Sequence, residues 1–347
     1  MTTTIKRTYR AALIGCGNMG STIEDGLGPG RIPLPYSHAP SLKAVNEIDF
    51  VAAADIDPDR LHAFEARWEV PGLYLDYQEM LEKEHPELLV VVGPSSLHAE
   101  MVVAAAEAGV RGVFCEKPLA TNLRDADRML AACEKHGVKL SVNHTRRFDP
   151  FHQQARELVA GGAIGEPVSA VATWRGCMMF AGTHLFDVVN FLLGDPEIEW
   201  LVGDLDRGAE DTFDPGGSAY VRYTNGAHAF MNADARNAVP IQVDVIGSDG
   251  KIVIGNYNLE LWKRNSESRF RELIRHPFPQ SMHMEGVGPT ALRELIHCVE
   301  TGVESISNGR VARVALACCL AVHDSARQGN RLMQFPYANL DFDVPCR

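Results

Sequence analysis

Short, wholly apolar runs alternate with amphipathic helical stretches through the first 145 residues of the chain. This pattern is typical of β–α–β units that build a parallel sheet, because a strand covered by helices on both faces needs continuous apolar character. Two of the helical stretches end at glycines, Gly109 and Gly137. The pattern predicts a doubly wound α/β domain, with strands at Ala11–Gly15, Phe50–Ala54, Leu88–Val92, Gly112–Cys115 and Lys139–Val142 and helices at Pro58–Trp68, His98–Ala108 and Leu123–His136.

After Phe148-Asp149-Pro150, runs with strand-like alternation become dominant. Asn225-Gly226 and Asp249-Gly250 stand between such runs, as two-residue hairpin turns do. We therefore expect one domain over residues 1–145 and a second, α+β domain with a mainly antiparallel sheet over residues 146–347. The second domain is predicted to contain strands at Val168–Trp174, Ser218–Tyr223, Ala227–Asn232, Gln242–Ile246 and Lys251–Ile254 and helices at 151–160, 182–193, 289–301 and 308–327.

Composition supports two folded domains and narrows the choice of partners. The chain has 347 residues, of which 46 % are hydrophobic, enough for two cores. Its formal net charge is −12 and it contains no basic block, which argues against nucleic acid or an anionic membrane as a partner. The apolar stretch after the basic N-terminus runs only from Ala11 to Ile14, and no run approaches the roughly 20 residues of a membrane helix. We expect a cytoplasmic protein that contacts no membrane.

The cysteines and histidines indicate no disulfide framework and no metal site. The eight cysteines form no CxxC pair and mostly lie inside apolar runs, so we interpret them as reduced thiols of the core. The 13 histidines show neither HxH nor HExxH spacing, and no metal is expected.

A glycine-rich loop, Gly15-Cys16-Gly17-Asn18-Met19-Gly20, leaves the first predicted strand and opens a helix. In that context the GxGxxG pattern predicts a dinucleotide site. The first glycine permits the tight turn, the second lets the backbone approach a pyrophosphate, and the third lets helix and strand pack closely. The phosphates would lie at the helix N-terminus. The alternative is an ordinary glycine-rich turn.

An acidic residue, Asp55, ends the second predicted strand, where a carboxylate binds the adenosine ribose hydroxyls of a dinucleotide. A carboxylate there would repel the 2′-phosphate of NADP, and no basic residue follows before Arg60. We therefore expect NAD rather than NADP, with Ile56 beside the same site. The alternative for Asp55 is a cap at the entry of a loop.

The spacing from Gly20 to Asp55 is 35 residues, where about 20 are expected. The excess lies in a stretch rich in glycine and proline, residues 24–36, which no helix survives. We infer a loop inserted after the first turn of the first helix, near the ligand end of the sheet. This loop either walls the active site or is a surface loop remote from the chemistry.

Six short motifs make the chain resemble the Gfo/Idh/MocA oxidoreductases, the family of glucose–fructose oxidoreductase and inositol dehydrogenase. The resemblance covers almost all of the chain. It implies a Rossmann domain, an open-faced sheet domain that often makes oligomer contacts (here a dimer or tetramer), and nicotinamide-dependent redox chemistry on sugars, polyols or related compounds. The motifs are Gly15–Gly20, Pro94-Ser95-Ser96-Leu97-His98, Glu116-Lys117-Pro118, Arg147-Phe148-Asp149-Pro150, Gly165-Glu166-Pro167 and Gly182-Thr183-His184-Leu185-Phe186-Asp187.

Oxidation of a secondary alcohol requires a group that takes the hydroxyl proton, and two residues are candidates. Lys117 follows a parallel strand at its ligand-binding end, and the resemblance implies that it contacts both substrate and the nicotinamide ribose. A nearby oxidised nicotinamide would lower its pKa. The resemblance makes His184 the catalytic histidine, and Asp187, one turn later, either binds a substrate hydroxyl or orients His184. The alternatives are a solvated surface lysine, a structural histidine and a helix-start carboxylate.

Further polar residues are expected near these two. Arg146 and Arg147 follow Asn143 after the last predicted strand of the first domain, and they hold an anionic or cofactor group unless one forms an interdomain salt bridge. Trp174-Arg175 is a candidate stacking and anion-binding pair. We assign the substrate to Asp187, Arg147, Trp174, Arg175 and Asn143, and the cofactor to Gly15, Cys16, Gly17, Asn18, Met19, Gly20, Asp55, Ile56, Pro94, Ser95, His98, Glu116, Lys117 and Arg146.

The chain departs from the family at Phe180, because many of the family's dehydrogenases carry an aspartate four residues before the histidine. Either Lys117 and His184 suffice without it, or the substrate face is rebuilt around Met178, Met179 and Phe180. The leading hypothesis is an NAD-dependent oxidoreductase acting on a sugar, sugar acid or polyol. The alternatives are an NAD-dependent glycoside hydrolase that oxidises the sugar transiently, and a regulatory protein that binds the dinucleotide without catalysis.

Overall fold

A computed structural model describes residues 7–27, 34–206, 214–256, 258–270, 272–279 and 285–346. The chain divides into two compact units by its internal contacts. Unit 1 comprises Met1–Ala120, Asp125–Thr145 and Met284–Arg310, and unit 2 comprises Thr121–Arg124, Arg146–His283 and Val311–Arg347.

The described residues form strands and helices whose bounds follow in chain order. The strands are β1 (Tyr9–Ile14), β2 (Ile48–Ala54), β3 (Gly72–Tyr74), β4 (Leu88–Val91), β5 (Gly112–Cys115), β6 (Lys139–Val142), β7 (Pro167–Trp174), β8 (Ile198–Leu205), β9 (Gly217–Tyr223), β10 (His228–Ala233), β11 (Ile241–Gly247), β12 (Gly250–Gly255), β13 (Leu259–Arg264), β14 (Leu273–His276) and β15 (Met333–Gln334). The helices are α1 (His38–Ala44), α2 (Pro58–Trp68), α3 (Tyr77–Glu84), α4 (His98–Glu107), α5 (Leu123–His136), α6 (Thr145–Phe148), α7 (Pro150–Ala160), α8 (Thr183–Leu192), α9 (Val287–Thr301) and α10 (Gly309–Arg327).

Unit 1 contains a six-stranded parallel sheet in the order β3-β2-β1-β4-β5-β6. Every residue of β4 and β5 is buried, as the continuous apolar runs require for strands covered on both faces. The predicted doubly wound α/β fold is confirmed. Because the strands are parallel and the order reverses beside β1, the carboxyl ends of β1, β4 and β5 meet along one edge, where open α/β sheets bind ligands.

Helix α9 belongs to unit 1, although the sequence division at residue 145 assigned it to the second domain. Its residues contact the beginning of the sheet: the Tyr9 hydroxyl donates to Glu300 Oε1 at 2.9 Å, and Arg293 lies 3.8 Å from Glu47. The chain therefore returns to unit 1 with α9 after forming most of unit 2, so a single boundary at residue 145 cannot separate the two units.

The first helix of unit 1 is interrupted, as the glycine and proline content predicts. Two short helical turns, Asn18–Thr22 and Ile23–Gly26, follow the glycine-rich loop, and regular helix resumes only at His38 in α1. Glu24 joins the two ends, because its Oε1 accepts the backbone N–H groups of Tyr36 at 2.6 Å and Ser37 at 2.7 Å. Residues 28–33 of the inserted segment lie outside the described residues.

Unit 2 contains a nine-stranded sheet in the order β14-β13-β12-β11-β7-β10-β9-β8-β15. Its strand pairs are antiparallel except β7 with β10, so the predicted mainly antiparallel sheet is confirmed. Alternate residues of the central strands are buried and exposed, which gives the sheet one core face and one open face. The sequence pattern did not identify β8, β13, β14 or β15.

Three features of the described part of the chain concern membranes, metal ions and disulfide bonds. No helix there combines the length and apolar character needed to cross a bilayer. No group of three or more histidine, cysteine, aspartate or glutamate side chains is arranged to hold a metal ion within those same ranges. The eight cysteines are free thiols, six of them buried.

Candidate active site

The glycine-rich loop has the geometry of a phosphate cradle. Gly15 has a φ of +96°, and a Cβ there would lie 2.4 Å from the Val92 carbonyl oxygen, so only glycine fits this turn. A Cβ at Gly20 would lie 2.0 Å from the carbonyl oxygen of Gly15, which shows how closely helix and strand approach. At Gly17 nothing lies within 4 Å of a Cβ, and the backbone is open toward a ligand. These residues fit a dinucleotide pyrophosphate in the way the motif predicts.

Asp55 is held against this loop. Its Oδ2 accepts the backbone N–H of Cys16 at 2.8 Å and its Oδ1 accepts the N–H of Asp57 at 3.0 Å, which fixes the carboxylate at the end of β2. Burial, with the charge of Asp55, raises the pKa of the Cys16 thiol to about 12, so Cys16 stays neutral beside the cradle. Ile56 is 87 % exposed, which leaves an apolar side chain facing solvent beside Asp55.

His98 joins two segments that follow neighbouring strands. Its Nε2 lies 2.9 Å from the carbonyl oxygen of Gly93, after β4, and its Nδ1 lies 3.1 Å from the carbonyl oxygen of Pro118, after β5. The ring is fully buried, and burial lowers its pKa against the opposing effect of these carbonyls. We expected Pro94, Ser95 and His98 to contact the cofactor; His98 instead contacts backbone carbonyl groups, close in the chain to Pro94 and the buried Ser95.

Lys117 is the second residue after β5, and the residue between them, Glu116, is the centre of a buried polar cluster. Glu116 Oε1 accepts hydrogen bonds from His38 Nε2 at 2.7 Å and from Asn143 Nδ2 at 2.6 Å. Glu116 Oε2 accepts the backbone N–H of Lys117 at 3.2 Å. His38, Glu116 and Asn143 are all buried, so these three side chains fix the main chain at Lys117. Asn143, which we expected to bind substrate, uses its amide nitrogen on Glu116.

The charge state of Glu116 follows from these contacts. Burial alone would raise its pKa, but the hydrogen bond and charge of His38, together with Lys117 and Asn143, lower it to about 2. Glu116 is therefore an ionised carboxylate at neutral pH, and a carboxylate only accepts hydrogen bonds. His38 Nε2 must then carry the proton that it donates to Glu116.

In unit 2, His184 is the second residue of α8 and packs against an aromatic ring. The ring centroids of Trp174 and His184 lie 4.7 Å apart at an interplanar angle of 34°. On Trp174 the guanidinium carbon of Arg146 lies 4.5 Å from the ring centroid, a cation–π distance. Arg146 also donates to Asn256 Oδ1 at 3.3 Å. The structure thus brings together three of the predicted site residues, Arg146, Trp174 and His184.

Arg147 and Asp187 pair with each other inside unit 2. Arg147 Nε donates to Asp187 Oδ1 at 2.7 Å, and its NH2 group donates to Asp195 Oδ1 at 2.6 Å. The Arg147 side chain is 2 % exposed and that of Asp187 is 1 % exposed. Arg156 donates to the second oxygen of Asp195. We expected Arg147 and Asp187 to bind substrate, or an arginine to form an interdomain bridge; Asp187 and Asp195, which Arg147 contacts here, lie in its own unit.

The neighbourhood of Phe180 contains a carboxylate that the sequence analysis missed. Asp214 Oδ1 accepts the N–H of Met179 at 2.7 Å, and its Oδ2 accepts the N–H of Phe180 at 3.2 Å, on the turn that leads into α8. The nearly buried Asp214 also lies 3.4 Å from His323 Nε2. Phe180 itself is 49 % exposed. Arg175 is exposed, and its Nε donates to the Ala235 carbonyl at 3.1 Å.

His38 is the other residue that sequence reasoning missed. Its signal was the serine before it, because Ser37 is the N-cap of the resumed helix α1 and indicates where the first helix continues after the insertion. Asp214 had no comparable signal, since its partners are backbone groups 34 and 35 residues away.

Comparison with known proteins agrees with this architecture. Residues 9–144 match the oxidoreductase family with an NAD-binding Rossmann fold named GFO/IDH/MocA, and residues 172–253 match the C-terminal domain of the same family. D-apiose dehydrogenase of Paraburkholderia graminis is 28 % identical over 94 % of this chain and 90 % of its own length. Myo-inositol 2-dehydrogenase of Thermotoga maritima is 29 % identical over 66 % of this chain and 74 % of its own.

A solved structure shares the fold of both units. Aldose-aldose oxidoreductase of Caulobacter crescentus superposes with a TM-score of 0.79 at 20 % identity, covering 95 % of this chain and 100 % of its own. The two family matches together cover more than half of the chain. The chain therefore belongs to the GFO/IDH/MocA family of NAD-binding oxidoreductases.

Proposed function

We propose that this protein is an NAD-dependent dehydrogenase that oxidises or forms a secondary alcohol of a sugar, sugar acid or polyol. The observation that carries the proposal is the edge of the six-stranded sheet: the open backbone at Gly17, the fixed carboxylate of Asp55 and the anchored main chain of Lys117 all follow strands that end there. A dinucleotide cradle and a proton-transfer group at one sheet edge are what hydride-transfer chemistry requires.

The cofactor proposal rests on this cradle. NAD, when bound, supplies the hydride acceptor or donor. Residues Gly15–Gly20 would hold its pyrophosphate, and the anchored Asp55 would accept hydrogen bonds from the adenosine ribose. Because a second negative charge beside Asp55 would be repelled, NAD is preferred over NADP. Pro94 and Ser95 would line the nicotinamide end, with His98 holding their segment to the carbonyl after Lys117.

Proton transfer is assigned to Lys117 and His184. Lys117 would take or give the proton of the reacting hydroxyl, since a lysine beside an oxidised nicotinamide is a better proton acceptor than one in water. His184 would share that proton, because an imidazole can accept a proton at one ring nitrogen and donate one from the other. The Trp174 ring packs against His184 and limits the orientation of the imidazole. Arg146, which also contacts the Trp174 ring, adds a positive charge nearby.

The substrate is proposed to lie against unit 2 residues near His184. Trp174 offers an aromatic face to the C–H groups of a sugar ring, and Arg175 offers a guanidinium for an oxygen of a sugar or sugar acid. We assign Arg147 and Asp187 a positioning role, because each is buried and paired with the other. The relatives named as dehydrogenases of D-apiose and myo-inositol support a sugar or polyol as substrate.

Incubation of the purified protein with NAD⁺ and a panel of aldoses, D-apiose, inositols and uronates tests the proposal. We expect NADH to form with at least one member and kcat to fall about 100-fold or more in Lys117→Met and in His184→Asn. Lys135→Met, which changes an exposed lysine on α5, is the matched control and should leave kcat unchanged. Full activity in both site variants would refute the assignment.

Two outcomes would replace the dehydrogenase with another function. Turnover of an aryl glycoside without net NADH, with solvent deuterium entering a sugar carbon, would indicate a glycoside hydrolase that oxidises its substrate transiently. Tight NAD binding with no turnover of any sugar, polyol or glycoside would indicate a regulatory protein.

The open face of the unit 2 sheet supports self-association. Two exposed apolar residues, Val171 and Phe230, pair there on neighbouring strands, and Phe230 also pairs with the half-buried Tyr220 and stacks on it at 4.7 Å. We propose that a second copy of the chain covers this face in a homo-oligomer. Light scattering should show a smaller mass for Phe230→Asp than for the parent protein, and an unchanged mass would argue against this face.

A further inference from the structure

We propose that His38 is a positioning residue for Lys117, acting through Glu116. The inference rests on the proposed role of Lys117 in proton transfer. His38 lies on the resumed part of the interrupted helix and not on any of the motifs that carry the family resemblance, so its contact with Glu116 gives the inserted segment a connection to the reacting lysine.

The hydrogen bond between His38 and Glu116 is short, and His38 is its donor. His38 Nε2 donates to Glu116 Oε1 at 2.7 Å, and Asn143 Nδ2 donates to the same oxygen at 2.6 Å. The second oxygen of Glu116 accepts the backbone N–H of Lys117 at 3.2 Å. One carboxylate thus has two side-chain donors on one oxygen and the main chain of Lys117 on the other. Removal of His38 would leave Asn143 as the remaining described side-chain donor to Glu116 Oε1 and would loosen the hold of Glu116 on the peptide of Lys117.

Two further contacts hold His38 in place. Its ring packs edge-on against Phe114 of β5, with centroids 5.6 Å apart. Ser37, the residue before it, donates from its backbone N–H and its hydroxyl to Glu24 Oε1 at 2.7 and 3.0 Å. Glu24 lies at the start of the inserted segment, so the carboxylate that closes the insertion also fixes the helix end that presents His38. The insertion and Lys117 are connected through four residues.

The charges around His38 explain how its hydrogen bond to Glu116 would lower the pKa of Lys117. Glu116 faces it from the end of β5, and Lys117, His98 and the thiol of Cys115 lie close enough to Glu116 to interact with its charge; Asn143, from the end of β6, is neutral. A donor from His38 withdraws part of the Glu116 charge from Lys117. Without it, the carboxylate would attract the Lys117 ammonium more strongly and make the lysine a poorer proton acceptor.

Competitive acylation of lysines at a series of pH values, read by mass spectrometry, tests this in the full-length protein without turnover. Lys135, exposed on α5, serves as the internal reference. We expect the acylation half-point of Lys117 to move upward in His38→Phe by about half a pH unit or more, because the ring is kept and the donor is lost. In His38→Gln, whose amide nitrogen can still donate to Glu116, the half-point should stay at the parent value.

His62→Phe is the matched control, since that histidine is 85 % exposed on α2 and pairs only with a neighbouring glutamate in the described contacts. On the substrate identified by the dehydrogenase assay, kcat should fall about tenfold in His38→Phe with the KM for NAD⁺ within twofold, and His38→Gln should restore it. A folded His38→Phe with an unchanged Lys117 half-point would overturn the proposal, whether or not any substrate is found.

Imidazole nitrogen NMR of the parent protein decides the question if His38→Phe fails to fold. The His38 signal, assigned by its loss in His38→Gln, should show a hydrogen on Nε2 across the pH range in which Glu116 is ionised. A ring protonated only on Nδ1 would overturn the proposal, because Nε2 would then have no proton to donate to Glu116.

Discussion

Replacement of Arg147 by methionine is the most direct test of the ion pair beneath α8. Methionine keeps an unbranched apolar stem and deletes the guanidinium, which donates to Asp187 at 2.7 Å and to Asp195 at 2.6 Å. The two carboxylates differ in exposure: Asp187 is 1 % exposed, whereas Asp195 is 27 % exposed and keeps Arg156 at 2.7 Å. Nearly all of the cost should therefore come from Asp187, which loses its guanidinium partner in the interior.

Breaking a buried ion pair by removal of one partner costs about 3–5 kcal/mol. The exposed side adds about 1 kcal/mol or less. We expect the free energy of unfolding of unit 2 to fall by about 4 kcal/mol and its melting temperature to fall by roughly 10 °C. Replacement of both partners, Arg147→Met with Asp187→Leu, should recover at least about 2 kcal/mol, since an apolar pair leaves no charge in the interior.

Urea unfolding followed by tryptophan fluorescence measures these changes, because Trp174, Trp200 and Trp262 belong to unit 2. Arg156→Met, which removes the half-exposed partner of Asp195, is the matched control and should cost about 1 kcal/mol or less. A loss below about 1 kcal/mol for Arg147→Met would refute the buried pair. Unchanged stability with weakened substrate binding would instead assign Arg147 to the substrate.

Three further predictions concern unit 1. Gly17→Ala should weaken NAD binding at least about tenfold by calorimetry but leave the melting temperature unchanged, since the added Cβ enters open space where the phosphates would lie. Gly20→Ala should lower the melting temperature, because its Cβ would lie 2.0 Å from a backbone oxygen. Gly26→Ala is the control and should change neither quantity, because nothing lies within 4 Å of its Cβ. Asp55→Ser should raise the ratio of kcat/KM for NADP to that for NAD at least about tenfold, and an unchanged ratio would remove Asp55 from cofactor selection. The pKa of Glu116 is lowered to about 2 in the folded protein, so its contribution to stability is present above its unfolded pKa and is lost as the pH falls toward 2. The free energy of unfolding, measured as a function of pH, should therefore fall less steeply with acid in Glu116→Gln than in the parent protein.

The sequence predicts those strands best that are buried on both faces. The bounds predicted for Gly112–Cys115 match β5, and those predicted for Leu88–Val92 match β4 to within one residue, because a continuous apolar run is typical of a strand covered on both faces. The three half-buried residues of β3, Gly72–Tyr74, have no such pattern. The same holds for β13 and β14 at the sheet margin of unit 2, where a strand has only one neighbour or little burial to impose a period.

For the site, the sequence locates residues by their strand ends but does not reveal their partners. Lys117 could be placed because it follows a parallel strand, and its position in the chain determines its sheet edge. The pairing of Arg147 with Asp187 spans 40 residues, and that of His38 with Glu116 spans 78. Contacts of that separation depend on how helices dock on the sheet, which neither periodicity nor spacing encodes.

The closure of the insertion by Glu24 has a practical consequence. Its carboxylate binds the backbone of Tyr36 and Ser37, so the Glu24 side chain joins the two ends of the inserted segment within unit 1. The entropic cost of closing a flexible loop grows only slowly with its length. A short insertion between Glu24 and Leu34 should therefore cost unit 1 little stability as long as Glu24 is kept, which makes this segment a place to attach an affinity tag.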